Sequence, residues 1–243
     1  MKYKTALGAI LIGTLPLQAI GYTAYAQQAA TVDPEFMRNL EAALVQKPEL
    51  ILEAAARAQN KQREAEMRRM SESAVEIRKE LAVANNPGFV IGNPTGSKTF
   101  VEYLDYRCGY CQKAHGEVNK LIERDPQVRM VIVQLPVLGP DSEALARFAM
   151  AADKQSKFKQ THDYLYTNKV DASEEGLKAA AAALGLDWAK VQSDMTSAEL
   201  SSRLDANRSL AERMNVSGTP FFITPTTVFP GATTAENLAN NAG

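Results

Sequence analysis

Between Val32 and Val83 the apolar positions recur three and four apart, which predicts helix. Asp33 is a natural N-cap, Pro34 suits the first helical position and Glu35 complements the helix dipole. Phe36, Leu40 and Leu44 then share a face to about Lys47. Pro48 breaks the run and opens a second helix, expected from Pro48 to about Val83 and free of Gly and internal Pro. If continuous, it would be roughly 54 Å long at 1.5 Å per residue. Leu50, Ile51, Ala54, Ala55 and Ala58 make its first part apolar, and Gln59 to Glu64 is very polar. Met67, Met70, Ala74, Ile77 and Leu81 then resume a short heptad stripe. Helices this polar need a partner surface for their apolar side. One arrangement is an oligomerisation stalk, and the other is a helical pair folded back on the rest of the chain. The polar middle has no stripe wide enough to lie on a core, which favours the stalk.

The pattern then changes. Asn85-Asn86-Pro87-Gly88 and Gly92-Asn93-Pro94-Thr95-Gly96 are turn clusters around a short edge strand, Phe89 to Ile91. An apolar strand from Thr99 to Asp105, a helix to about Arg124 and a strand from Val128 to Leu135 follow. This β-α-β order implies a parallel pair with a right-handed crossover. Residues 141–215 read as a helical insertion, with helices around Phe148 and Met150, around Phe158, His162, Leu165 and Tyr166, from Ser173 to Gly185, around Trp188, and from Leu200 to Met214. Strand character returns at Pro220 to Thr224 and Thr227 to Phe229, and a last helix spans Thr234 to Asn241. The domains expected are therefore a helical stalk and linker over 27–84 and an α/β domain over 85–243.

Composition narrows the class. The 243 residues are 45% apolar and 23% charged, with a formal net charge of −1, so nothing marks nucleic acid or an anionic membrane as a partner. Residues 1–26 read as a cleaved signal peptide. Lys2 and Lys4 precede an apolar run, and Ala24-Tyr25-Ala26 is an A-x-A site with cleavage expected after Ala26. The alternative, a membrane anchor, meets a run that is short for a span and broken by Gly13 and Pro16. No stable membrane insertion is expected.

The only two cysteines form Cys108-Gly109-Tyr110-Cys111, between a strand and a helix. That is the arrangement of thiol–disulfide redox chemistry. In an exported protein the pair could instead be a structural disulfide. A bridge closing so short a loop removes little chain entropy, so the redox reading prevails. Cys108 would sit at a helix N-terminus, where unpaired N–H groups favour a thiolate. Cys111, one turn in, should be buried, protonated and resolving: Cys108 opens a substrate disulfide and Cys111 releases the mixed disulfide.

The order of elements, with Phe100 to Arg107 leading into Cys108-Gly109-Tyr110-Cys111 and Val216-Ser217-Gly218-Thr219-Pro220-Phe221-Phe222-Ile223 downstream, resembles a thioredoxin fold with a helical insertion. It is similar to the Dsb-type periplasmic oxidoreductases over about residues 85–243. The preceding stalk resembles that of the suppressor-of-copper-sensitivity C proteins, which are trimeric disulfide isomerases. The resemblance implies a cis peptide bond before Pro220, a Thr219 backbone that pairs with substrate, and a buried carboxylate at Glu102 that moves the proton of Cys111. The plain alternative for Glu102 is a surface residue at a strand end. Gly109 and Tyr110 replace the Pro-His of the strong oxidases, which implies a less oxidising pair suited to rearranging bonds. The partners implied are cysteine-containing exported clients, a DsbD-like membrane thiol reductase and two further copies in a homotrimer. No cofactor is expected.

A metal-binding module is the rival class. His115 follows Cys111 by one turn, and His162 is the only other histidine. A closed zinc site would need all four Cys and His side chains to converge. Reduced CxxC can also hold Cu(I) through soft thiolates. His115 is expected instead to be half-exposed on the helix, and Met67 and Met70 to be stalk packing. The reading is a periplasmic disulfide isomerase or reductase; a monomeric oxidase, or a copper-handling or chaperone module, are the alternatives.

Overall fold

The structure is a computed structural model and describes residues 33–83 and 89–243. The signal segment and the Asn85–Gly88 turn expected above lie outside the described residues. In chain order the elements are α1 (Pro34–Gln46), α2 (Glu49–Val83), β1 (Phe89–Gly92), β2 (Lys98–Leu104), α3 (Gly109–Arg124) and β3 (Val128–Gln134). Then come α4 (Pro140–Asp153), α5 (Phe158–Thr167), α6 (Glu174–Leu184), α7 (Trp188–Met195), α8 (Ala198–Arg213), β4 (Phe221–Ile223), β5 (Val228–Pro230) and α9 (Ala235–Ala239). Asp33 caps α1 as the sequence suggests, its carboxylate accepting the Glu35 N–H at 2.9 Å.

The strands form one sheet in the order β1-β3-β2-β4-β5. β2 and β3 are parallel, with Val101 opposite Val131, as a β-α-β unit requires. β1 is the expected edge strand and runs antiparallel to β3. It ends at Gly92, whose φ of +79° and close approach to the Val128 carbonyl leave no room for a side chain. β4 and β5 make an antiparallel hairpin on the other side of β2.

Side chains alternate across a strand, so β2 sorts its residues onto two faces. Phe100 and Leu104 face a large core shared with α3 and the helical insertion, where Phe148, Leu165 and Leu200 are buried. Val101 and Tyr103 face a smaller core with Val131, Val133, Phe221 and Ile223. One part of that second face is closed by Ala211 and Met214, at the end of α8.

Another part is closed by α2. Ala74 is buried against this face, with Met67 and Met70 packed around it. The chain divides into compact units between Ala58 and Gln59, not at the turn cluster near residue 85. Met67, Met70 and Ala74 of the expected stalk stripe therefore pack into this core. A sheet needs cover on both faces, and a stripe of Met and Ala fits the space beside α8. Ile77 and Leu81 fall outside the described side chains. In the first unit, α1 buries no residue, and Phe36, Met37, Leu40 and Val45 are exposed along it.

Candidate active site

Asp105 follows β2 and shapes the turn that carries the cysteines. Its carboxylate accepts the N–H groups of Arg107 at 2.8 Å, Val137 at 2.8 Å and Leu138 at 3.0 Å. Its carbonyl accepts the Cys108 N–H at 3.1 Å. These bonds tie the end of β2 to the loop after β3 and deliver Cys108 to the N-cap of α3. Sequence reasoning missed Asp105. The signal was there: an Asp just past a strand, two residues before a free N–H, is an Asx-turn.

Cys108 makes no capping bond to α3. Its Sγ lies 3.2 Å from the Thr219 carbonyl oxygen, which accepts the S–H. The Thr219–Pro220 bond is cis. The two stretches that the sequence sets 111 positions apart thus meet at the sulfur. Cys111 is one turn into α3 and fully buried, and both cysteines are free thiols. Burial pushes the Cys111 thiol far above the ordinary thiol range, and the nearby Glu102 charge adds to this.

Glu102 is on the α3 face of β2, between Phe100 and Leu104, and only 2% exposed. It is not a surface residue. Burial raises its carboxyl from 4.5 to about 8. Gly109 and Tyr110, in contrast, are exposed beside Cys108. A Cβ at Gly109 would touch nothing within 4 Å, so no packing demands glycine there. The Lys113 ammonium lies 5.4 Å from the Tyr110 ring. Val137 and Leu138 are also exposed on the loop that Asp105 holds.

The histidines differ from expectation. His115 is buried, not half-exposed, because α5 packs Tyr166 and His162 against it with ring centroids 4.9 and 5.0 Å away. His162 Nδ1 and the Tyr106 hydroxyl share a hydrogen bond at 3.0 Å, and the Tyr106 oxygen accepts from Gln134 at 3.1 Å. Burial, with the His115 charge adding to it, lowers His162 to about 3. His115 Nε2 lies 3.3 Å from Asp163. Burial works against the Asp163 charge, yet hydrogen bonds from His115 and Lys159 hold that carboxyl at about 2. Among the described residues, His115, His162 and Asp163 form the one donor group with metal-ligand spacing, within 4.8 Å of one another. The cysteines are not part of it, and these donors already serve Tyr106, Asn119 and Lys159.

A family model described as thioredoxin matches residues 84–240. The chain belongs to the thioredoxin family. A solved thioredoxin-like oxidoreductase from Silicibacter pomeroyi is 35% identical, with a TM-score of 0.64 over 68% of this chain and 94% of that one. A linker-deleted variant of ScsC from Proteus mirabilis is 20% identical, with a TM-score of 0.64 over 90% of this chain and 97% of that one, a likeness of fold. Over 126 residues, or 51% of its length, the chain is 31% identical to a Na(+)/H(+) antiporter NhaA 3 of Salinispora tropica. It spans only about a fifth (19%) of that relative. Among the described residues no helix is long and apolar enough to cross a membrane. The thioredoxin fold accounts for the sheet order and for the meeting of α3 with the cis-proline turn.

Proposed function

We propose that the protein is an exported thiol–disulfide oxidoreductase that works mainly as a disulfide isomerase or reductase. One observation carries this reading: Cys108 Sγ sits at the start of α3 against the Thr219 carbonyl, with Cys111 buried one turn behind it. The Cys108 thiolate attacks a client disulfide, and one client sulfur leaves as a thiol. The resulting mixed disulfide is attacked by Cys111, which frees the second client thiol and leaves Cys108 and Cys111 oxidised. Two electrons from a membrane thiol reductase of the DsbD kind return the pair to thiols. In isomerisation a client thiol displaces Cys108 instead, and no net electrons move. Glu102 serves as the buried group that takes the proton from Cys111 as it attacks. Thr219 and Pro220 receive the client backbone, and the open surface at Gly109 and Tyr110 receives its flanks.

The Gly-Tyr pair between the cysteines and the threonine before Pro220 favour rearranging disulfides over making them. The exposed apolar face of α1 supports assembly into a homotrimer, in which several reactive pairs would share one client. Periplasmic location follows from the signal segment. The test is refolding of scrambled ribonuclease. Cys108→Ser should abolish it, and activity surviving in that variant overturns the thiol mechanism. Cys111→Ser should instead trap the client as a mixed disulfide, visible as an adduct on a non-reducing gel.

A further inference from the structure

Two hollows adjoin the cis-proline turn. The inner one, about 210 Å³, is lined by Ser217, Thr219, Pro220, Phe221, Pro230 and Met70. The outer one, about 500 Å³, runs along α2 past Gln62, Glu66 and Arg69 toward Arg213. Met70 and Asn215 line both, so the two hollows adjoin as parts of one groove-like surface. The inner hollow is lined in part by Thr219, whose carbonyl oxygen is 3.2 Å from Cys108 Sγ.

We propose that α2 adds a wall to the site that receives the client chain at Thr219 and Pro220, and that Met70 on that wall helps set which clients are accepted. The inference rests on the thiol–disulfide reading above. Cys108 itself lines neither hollow, but Thr219 joins the inner one to its sulfur, which places the groove beside the chain that the nucleophile attacks. The groove's inner end is walled by the apolar surfaces of Met70, Pro220, Phe221 and Pro230. The chemistry recognised there is an apolar side chain adjoining the client cysteine. The outer part carries both signs of charge, at Glu66 and Arg69, and suits a solvated, extended chain. Methionine is unbranched and polarisable, so one wall can accept side chains of different shape, as misfolded clients demand. On this view α2 is a wall of the substrate site as well as cover for the sheet.

The test uses the full-length chain with dithiothreitol as the reductant and two kinds of substrate. One is bis(2-hydroxyethyl) disulfide, which is too small to reach the groove. The other is a peptide disulfide with leucine adjoining the cysteine, alongside a counterpart with aspartate there. The readout is the ratio of kcat/KM for the leucine peptide to that for the small disulfide. Met70→Glu should lower this ratio about tenfold, chiefly through KM, and should erase the preference for leucine over aspartate. Met70→Leu should restore most of the ratio. Rates that fall together, leaving the ratio unchanged, mean a structural role and overturn the proposal. So does a change in solution mass with an unchanged ratio, because the groove's occupant is then a second copy of the chain. If the wild-type protein fails to reduce the small disulfide, the thiol reading fails first and takes this inference with it.

Discussion

A carboxyl held at about 8 in the folded protein and near 4.5 in the unfolded chain binds its proton more tightly when folded. Between those values folded Glu102 keeps a proton that the unfolded chain has released. The contribution is fully present below about pH 4.5 and is lost as pH rises through about 8. Glu102→Gln removes that loss. We expect the variant to exceed wild-type stability at pH 8 by a few kcal/mol, with the gap closing toward pH 5, as read by urea unfolding across that range. The same change should slow release of client by Cys111 about a hundredfold, measured as decay of the mixed disulfide. His162 has the opposite sign. Its folded value of about 3 lies below the usual 6.5, so the unfolded chain takes up a proton first and stability is lost as pH falls from about 6.5 toward 3. His162→Gln should flatten that acid limb in a pH series of thermal melts. It should also cost about 1–3 kcal/mol at pH 7, because a buried contact to Tyr106 is disturbed.

At the scale of elements, the strands and helices could be read from the chain because each has one clear periodicity. Met130 to Val133 is an unbroken apolar run, and Phe100 to Leu104 is apolar apart from Glu102, the pattern of strands covered on both faces. The strand between Phe89 and Ile91 was marked by the turns around it. The reactive pair was equally open to view, since Cys108 and Cys111 have no competitors. What local pattern cannot state is which surface an amphipathic stripe meets. Met67, Met70 and Ala74 have the spacing of a coiled-coil seam, and the same spacing suits a helix lying on a sheet. The choice is made by Val101, Val131 and Ile223, which need cover and belong to distant segments. His115 escaped for the same reason, because its burial depends on Tyr166 of α5. The packing of α2 can be tested at Ala74, which is 2% exposed. Ala74→Glu buries a charge against the sheet and should cost about 3 kcal/mol or more in chemical denaturation. If α2 stood away from the sheet, the substitution would be nearly silent.

For the whole molecule, the place of the division decides how oligomer and catalytic unit can be separated. Contacts part the chain at Ala58 and Gln59, within a helix that runs on to Val83. The exposed apolar residues Phe36, Met37, Leu40 and Val45 lie before that point, while the α2 residues that seal the second core and line the groove lie after it. Removing residues 27–84 would strip both at once and confuse assembly with folding. Removing residues 27–58 should strip only the first. Light scattering should then find a trimer for the mature full-length protein and a monomer for the shorter deletion. The monomer should melt as cooperatively as the parent and still reduce insulin, but lose isomerisation of scrambled ribonuclease, since one reactive pair can no longer act beside another on a shared client. The longer deletion should unfold at lower urea, because Val101, Tyr103 and Val131 lose their cover. A monomeric full-length protein would remove the assembly argument and leave the reactive pair working alone. A 27–58 deletion that remains trimeric would move the interface past Ala58, onto α2 or the sheet it covers.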